Sequence, residues 1–253
     1  MHLRTVNIHA DRYPTHQFYP FNLEVLEKTP SIAFETPVTM LVGENGTGKS
    51  TLIEAIARKA GIHIWQDTGR ARADVNPYEN KFHRCISVRW TDGHVPGSFF
   101  GASVFRDFAR ILDEWASTDR GQLDYFGGQS LLTQSHGQSL MSFFRARYAV
   151  KGLYLLDEPE TSLSPSTQLD LLDLLARMSR DGHAQFIIAT HSPILLACPG
   201  ATIYSLDSAP VRTVSYEQTE HYQIYKRFMA DPHRFLDDEG NGHDRQRPGD
   251  DPI

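Results

Sequence analysis

The sequence predicts an α/β fold in which a mainly parallel sheet carries helices on both faces. Three observations point there. The runs Val38–Val42, Leu153–Leu156 and Ala184–Ala189 are short and continuously apolar, as in strands buried on both faces. Segments of helical period, Lys49–Ala60 and Ser164 to about Arg180, follow two of these runs. Such strand–helix–strand alternation calls for parallel pairing through crossovers.

The elements follow in order. Leu3–His9 mixes β-branched and polar residues and is expected as a strand. The connection holding Tyr13, Pro14, Phe18, Tyr19, Pro20 and Phe21 is too irregular for a helix. Lys49–Ala60 places Leu52, Ile53, Ile56, Ala57 and Ala60 on one side and stops at Gly61. Gln66–Lys81 is polar with scattered Gly and Pro, the composition of a mobile loop, and Cys85–Trp90 is a candidate strand. Val104–Ala116 is an amphipathic helix and Leu140–Val150 a second helix. Ser164-Pro165 opens the next helix with a cap and a first-turn proline, with Leu169, Leu172, Leu175 and Ala176 inward. Pro193–Ala197 is a short helix, Thr202–Leu206 and Val211–Ser215 are strands, and Glu220 to about Met229 is the last helix.

Composition limits the function classes. With 253 residues, 40% of them hydrophobic, the chain is long and apolar enough for one core, which excludes wholesale disorder and a coiled coil. The net charge of −6 argues against coating nucleic acid by bulk electrostatics. Six acids and two bases between 237 and 253 supply −4 of it, in a segment expected to be a disordered tail. Cys85 and Cys198 are isolated, no stretch is long and apolar enough to span a membrane, and the first residues lack a leader's apolar run, so a cytoplasmic protein without membrane insertion is expected.

One motif carries the chemistry. Gly43-Glu44-Asn45-Gly46-Thr47-Gly48-Lys49-Ser50, followed by Thr51, matches G-x-x-x-x-G-K-[ST] between a strand and a helix. Its glycines let backbone N–H groups curl around phosphate oxygens, Lys49 supplies a positive charge, and Ser50 offers a hydroxyl to Mg²⁺. A nucleoside triphosphate is the expected ligand. Asp157 and Glu158 end a buried strand, where ligand crevices of such sheets lie. Asp157 is placed as a magnesium ligand and Glu158 as the base that takes a proton from the attacking water. His191, in Thr190-His191-Ser192-Pro193, ends another buried strand and is the candidate for the γ-phosphate.

These pieces resemble the ABC-type ATPases in order and spacing. Gln134-Ser135-His136-Gly137-Gln138-Ser139 is similar to the family's L-S-G-G-Q signature, with Ser135, Gly137 and Gln138 matching. Gln138 precedes Asp157 by 19 residues, and Asp157 precedes His191 by 34. Asp-Glu-Pro-Glu with Thr-His-Ser-Pro is unlike transporter ATPases. It resembles soluble AAA-domain ATPases, the group including overcoming-lysogenization-defect and recombination-mediator ATPases. The likeness extends to small stand-alone ATPases with a Thr219-Glu220-His221-Tyr222 stretch.

The resemblance implies a P-loop NTPase of ABC type, with an N-terminal antiparallel β subdomain and a small helical signature subdomain. It implies one domain over residues 1–236, with the insertion and signature subdomain at about 66–150. It implies ATP and Mg²⁺ as cofactors and a head-to-tail homodimer around two ATP molecules, in which Ser135, Gly137 and Gln138 of one chain meet the nucleotide of the other. The switch would act on a partner protein or DNA in repair, mobile-element control or defence. Arg70, Arg72, Lys81, Arg84 and Arg89 are a loose basic cluster in its favour. A membrane transporter's ATPase subunit and a scaffold with little turnover are the alternatives. The Q-loop equivalent is expected near Phe99–Ser103, and Tyr13, Phe18, Tyr19 and Phe21 are open as adenine platforms.

Overall fold

A computed structural model describes residues 1–65, 76–119, 121–124, 128, 130 and 136–235. Residues 66–75 of the loop expected over Gln66–Lys81, the signature residues Gln134 and Ser135, the bases Arg70 and Arg72, and the acidic tail lie outside them.

The strands are β1 (Leu3–Ile8), β2 (Ser31–Ala33), β3 (Val38–Val42), β4 (Ile86–Trp90), β5 (Gly97–Gly101), β6 (Gly152–Asp157), β7 (Ala184–Ala189), β8 (Thr202–Ser205) and β9 (Arg212–Val214). The helices are α1 (Glu24–Glu27), α2 (Lys49–Lys59), α3 (Ala102–Thr118), α4 (Gly121–Asp124), α5 (His136–Tyr148), α6 (Pro165–Arg180), α7 (Pro193–Leu196) and α8 (Glu220–Ala230).

Among the described residues, six strands form the main sheet in the order β5-β6-β7-β3-β8-β9, all pairs parallel except β8 with β9. The expected parallel sheet is therefore present. An antiparallel sheet, β2-β1-β4, stands beside it, as expected for the N-terminal part. Strand β5 is an addition: Gly97-Ser98-Phe99-Phe100-Gly101, a short run closed by glycine at both ends, pairs with β6 over its whole length.

The period of two along each strand divides the core. Met40, Val42, Tyr154, Leu156, Phe186 and Ile188 face one side, where α5, α6 and α7 pack. Leu41, Leu153, Leu155, Ile187 and Ala189 face the other, against Leu52, Ile53 and Ile56 of α2. Ser164 caps α6 as expected, accepting the Thr167 N–H. The inward stripe of α6 differs from the expected one, because Leu171, Leu174 and Leu175 are buried whereas Leu169 is 56% exposed. The contact with α5, α7 and β7 selects the i, i+3, i+4 set that starts at Leu171, and Leu169 falls off that face.

Parallel pairing brings the strand ends into one row. Gly101 is level with Asp157, Asp157 with Ala189, Ala189 with Leu41, and Val42 with Ser205. The segments that follow β3, β6, β7 and β8 therefore start from one edge, where the ligand crevice of such sheets lies.

Candidate nucleotide site

The phosphate loop links β3 to α2. Gly48 adopts φ 99°, and a Cβ there would lie 2.8 Å from the Leu23 side chain, so backbone conformation and space both require glycine. Lys49 is 4% exposed, and its Nζ donates to the carbonyls of Gly43 at 2.6 Å and Glu44 at 2.9 Å. Burial lowers its pKa, with Glu158, Asp207, Asp157 and Glu44 opposing the shift. Thr47 closes the loop by donating its hydroxyl to the Glu44 carbonyl at 2.9 Å. Thr51 shares a short hydroxyl–hydroxyl bond with Tyr19.

Across the crevice, the Ser50 hydroxyl donates to Asp157 Oδ1 at 3.0 Å, although the two are 107 residues apart. Burial pushes the Asp157 carboxyl up to about 7, while the Ser50 bond pulls it down. Glu158 follows with φ 47° and ψ 53°, the left-handed region, and its N–H donates to the Ala189 carbonyl at 2.9 Å. This geometry turns the chain sharply at the end of β6. The Glu158 carboxylate then stands 3.5 Å from His191 Nε2. The sequence-predicted Lys49, Ser50, Asp157, Glu158 and His191 thus converge on one sheet edge.

Four residues beyond the motif reading complete the surroundings. Glu160 Oε1 accepts the His191 N–H at 2.6 Å, and burial raises its pKa. Gln168 Oε1 accepts the Ser192 hydroxyl at 2.6 Å, tying the segment after β7 to α6. Asp207 Oδ1 accepts the Glu44 N–H at 2.7 Å and so holds the phosphate loop's first turn. His221 Nε2 is 2.7 Å from His191 Nδ1. Glu160 and His221 stood in stretches already noted in the sequence, Gln168 lay within the predicted helix, and Asp207 carried no local signal.

Two expectations stand elsewhere. Gly137 lies in the first turn of α5, where a Cβ would be 3.5 Å from Thr167 Oγ1 of α6. Among the described residues, no hydrogen bond or ion pair joins Gly137 or Gln138 to the phosphate loop of the same chain. Of the aromatic candidates, Phe21 is fully buried and Tyr13 packs against it with ring centroids 4.9 Å apart. Phe21 is a core residue and Tyr13 is partly buried against that core, while Phe18 and Tyr19 are exposed.

A phosphate loop between β3 and α2, facing carboxylates at the end of β6, defines the P-loop NTPase class. Residues 138–197 match the family model described as "AAA domain, putative AbiEii toxin, Type IV TA system", and residues 18–58 match one described as "AAA domain". The chain is 31% identical to the hemin import ATP-binding protein HmuV of Rhodopseudomonas palustris over 202 residues, 70% of this chain and 74% of that protein. It is 29% identical to the ferric enterobactin transport ATP-binding protein FepC of Escherichia coli over 56% of this chain and 58% of that one. The solved structure described as "An inward-facing conformation of a putative metal-chelate type ABC transporter" shares the fold at TM-score 0.51 and 18% identity, covering 89% of this chain and 88% of that one. The chain belongs to the ABC-type ATPases, and is an ATP-binding protein and ATP hydrolase. No helix of the described residues is long and apolar enough to cross a membrane.

Proposed function

We propose that ATP is held with Mg²⁺ between the loop Gly43–Thr51 and the end of β6, and that two chains close head to tail around two nucleotides. The Ser50–Asp157 contact at 3.0 Å carries this reading, because it brings a hydroxyl and a carboxylate from distant segments into one oxygen-donor pair. The pair fits a hard divalent cation, since burial of the Asp157 carboxylate outweighs the attraction of Lys49 and both donors are oxygen. When bound there, Mg²⁺ neutralises charge on the β- and γ-phosphates.

The chain's own groups have separate tasks in this reading. Lys49 exchanges the carbonyls of Gly43 and Glu44 for phosphate oxygens. Glu158 accepts a proton from the water that attacks the γ-phosphorus, and ADP and phosphate leave. His191 donates to the γ-phosphate. Gly137 and Gln138, with Ser135, serve the partner's nucleotide; among the described residues, no hydrogen bond or ion pair ties Gly137 or Gln138 to their own loop, in keeping with this reading. ATP joins the two chains and hydrolysis releases them, a two-state switch acting on a partner protein or DNA in the cytoplasm. The toxin–antitoxin wording of the family model over 138–197 supports a role in defence or mobile-element control.

The experiment is Glu158→Gln. This variant forms an ATP- and magnesium-stabilised dimer by light scattering, with little turnover; a persistent monomer overturns the sandwich. A second reading, the ATPase subunit of an importer, is favoured by the 31% identity to HmuV. Stimulation of steady-state ATPase by DNA supports the first reading, and stimulation only by a membrane permease supports the second.

A further inference from the structure

We propose that His221 is a positioning residue for His191, its ring fixing which nitrogen of His191 carries the proton and where that N–H points. The inference rests on the reading of His191 as the γ-phosphate donor.

His221 arrives from the far end of the chain by a well-braced route. Ser215 and Gln218 form a reciprocal capping box. Thr219, almost fully buried, then caps α8 by accepting the Tyr222 N–H while donating its hydroxyl to the Tyr216 carbonyl at 2.7 Å. These contacts fix the entry angle of α8. No side chain of α8 is fully buried, and Ile224, Tyr225, Phe228 and Met229 are exposed. The helix is thus anchored at its first turn, where His221 lies against His191 with ring centroids 4.9 Å apart.

Proton counting assigns the direction of the bond. Two neutral imidazoles 2.7 Å apart share one hydrogen. If His191 Nδ1 donated it, the bare lone pair of His191 Nε2 would face Glu158 Oε1 at 3.5 Å, two acceptors opposed. If His221 Nε2 donates, the His191 proton sits on Nε2 and faces the carboxylate. The second arrangement is electrostatically favoured, and it presents an N–H to the crevice. His191 Nε2 is buried without a hydrogen-bond partner among the described residues, so this N–H is available to a ligand oxygen.

The surrounding charges are compatible with two neutral rings. Burial lowers the pKa of His191, with Lys49 and His221 reinforcing and Glu158 and Glu44 opposing. Burial also lowers that of His221, where Asp207, Glu44 and Glu220 oppose and Lys49 reinforces.

The test uses the full chain with ATP and magnesium. His221→Leu removes the donor, and kcat falls about tenfold to hundredfold while KM for ATP stays within about twofold. His221→Gln, whose amide reaches to the place of Nε2, keeps kcat within about threefold of wild type. In a His191→Ala background, His221→Leu has no further effect. Imidazole ¹⁵N spectra of nucleotide-free wild type show His191 as the Nε2–H tautomer, a readout that needs neither folding of a variant nor turnover. A wild-type kcat in His221→Leu, equal losses in the Leu and Gln variants, additive losses in the double variant, or the Nδ1–H tautomer would each overturn the inference. Normal turnover by His191→Ala would instead remove the reading of His191 on which it rests.

Discussion

The side chain of Gln185 is bonded at both ends to the backbone of Leu3: Oε1 accepts the Leu3 N–H at 2.7 Å, and Nε2 donates to the Leu3 carbonyl at 2.9 Å. Oε1 also accepts the His2 N–H at 2.8 Å. Gln185 sits on β7 in the main sheet and is fully buried, so one amide joins the parallel sheet to β1 of the antiparallel sheet. Gln185→Leu keeps the volume but strands two backbone donors and one acceptor in a dry interior. At roughly 1 kcal/mol or more for each stranded group, the loss is about 3 kcal/mol. The melting temperature then falls by roughly 6–12 °C for a chain of this size, measurable by calorimetry. A shift under about 2 °C would mean that water or β1 itself relaxes into the gap.

His2 makes a separate, pH-dependent contribution to the same junction. Its Nε2–H donates to the His183 carbonyl at 2.8 Å, and burial lowers its pKa. The folded state therefore refuses a proton that the unfolded chain accepts. Stability from this group is full above the unfolded value near 6.5 and is lost as pH falls through the lower folded value. His2→Gln can keep the contact without titrating. The melting temperature of wild type relative to this variant rises from pH 5 to about 6.5 and is level above. A flat difference would show that folding leaves the ring's proton affinity unchanged, and one that falls with pH that the fold holds the protonated ring.

Legibility followed the distance over which each feature is encoded. The phosphate loop is a contiguous eight-residue pattern between a strand and a helix, and Asp157, Glu158 and His191 each directly follow an apolar strand. Local pattern sufficed to place these residues at one sheet edge. Strand β5 escaped because its glycines and short length obscure the period-two signal, and it is defined by pairing with β6. The inward face of α6 was misassigned by reading Leu169 as buried, since three turns of leucines offer more than one stripe and only the packed neighbours choose. Asp207 meets Glu44 across 163 residues, and His221 meets His191 across 30. Such pairs exist only once strand order has brought the chain ends together.

Glu158 is the one non-glycine residue with positive φ among the described residues. A left-handed conformation costs a side chain about 1–2 kcal/mol, of which glycine's greater unfolded-state entropy gives back part. Glu158→Gly is therefore expected to stabilise the nucleotide-free protein by about 0.5–1 kcal/mol. Removing the proposed general base lowers kcat by at least about a hundredfold. Denaturant melts and phosphate release measure the two effects on one preparation. A variant that is destabilised would show that the carboxylate's contacts outweigh the backbone strain.

Asp157→Asn separates the architecture of the site from its charge. The amide oxygen can still accept the Ser50 hydroxyl, so the link between α2 and β6 survives. The substitution removes a carboxyl whose burial already pushes it up to about 7. In EDTA, the variant is expected to melt at or above the wild-type temperature, because a carboxyl whose burial outweighs its attraction to Lys49 has gone. Ligand protection reverses the order. Wild type with ATP and Mg²⁺ at a hundred times the dissociation constant gains about 2.7 kcal/mol, and EDTA removes most of that gain. Asp157→Asn gains less than about a third as much from ATP and Mg²⁺ at the same concentrations, because the weaker metal site raises its dissociation constant. Equal protection of both proteins by ATP and Mg²⁺ would take Asp157 out of the metal site and leave it a structural partner of Ser50.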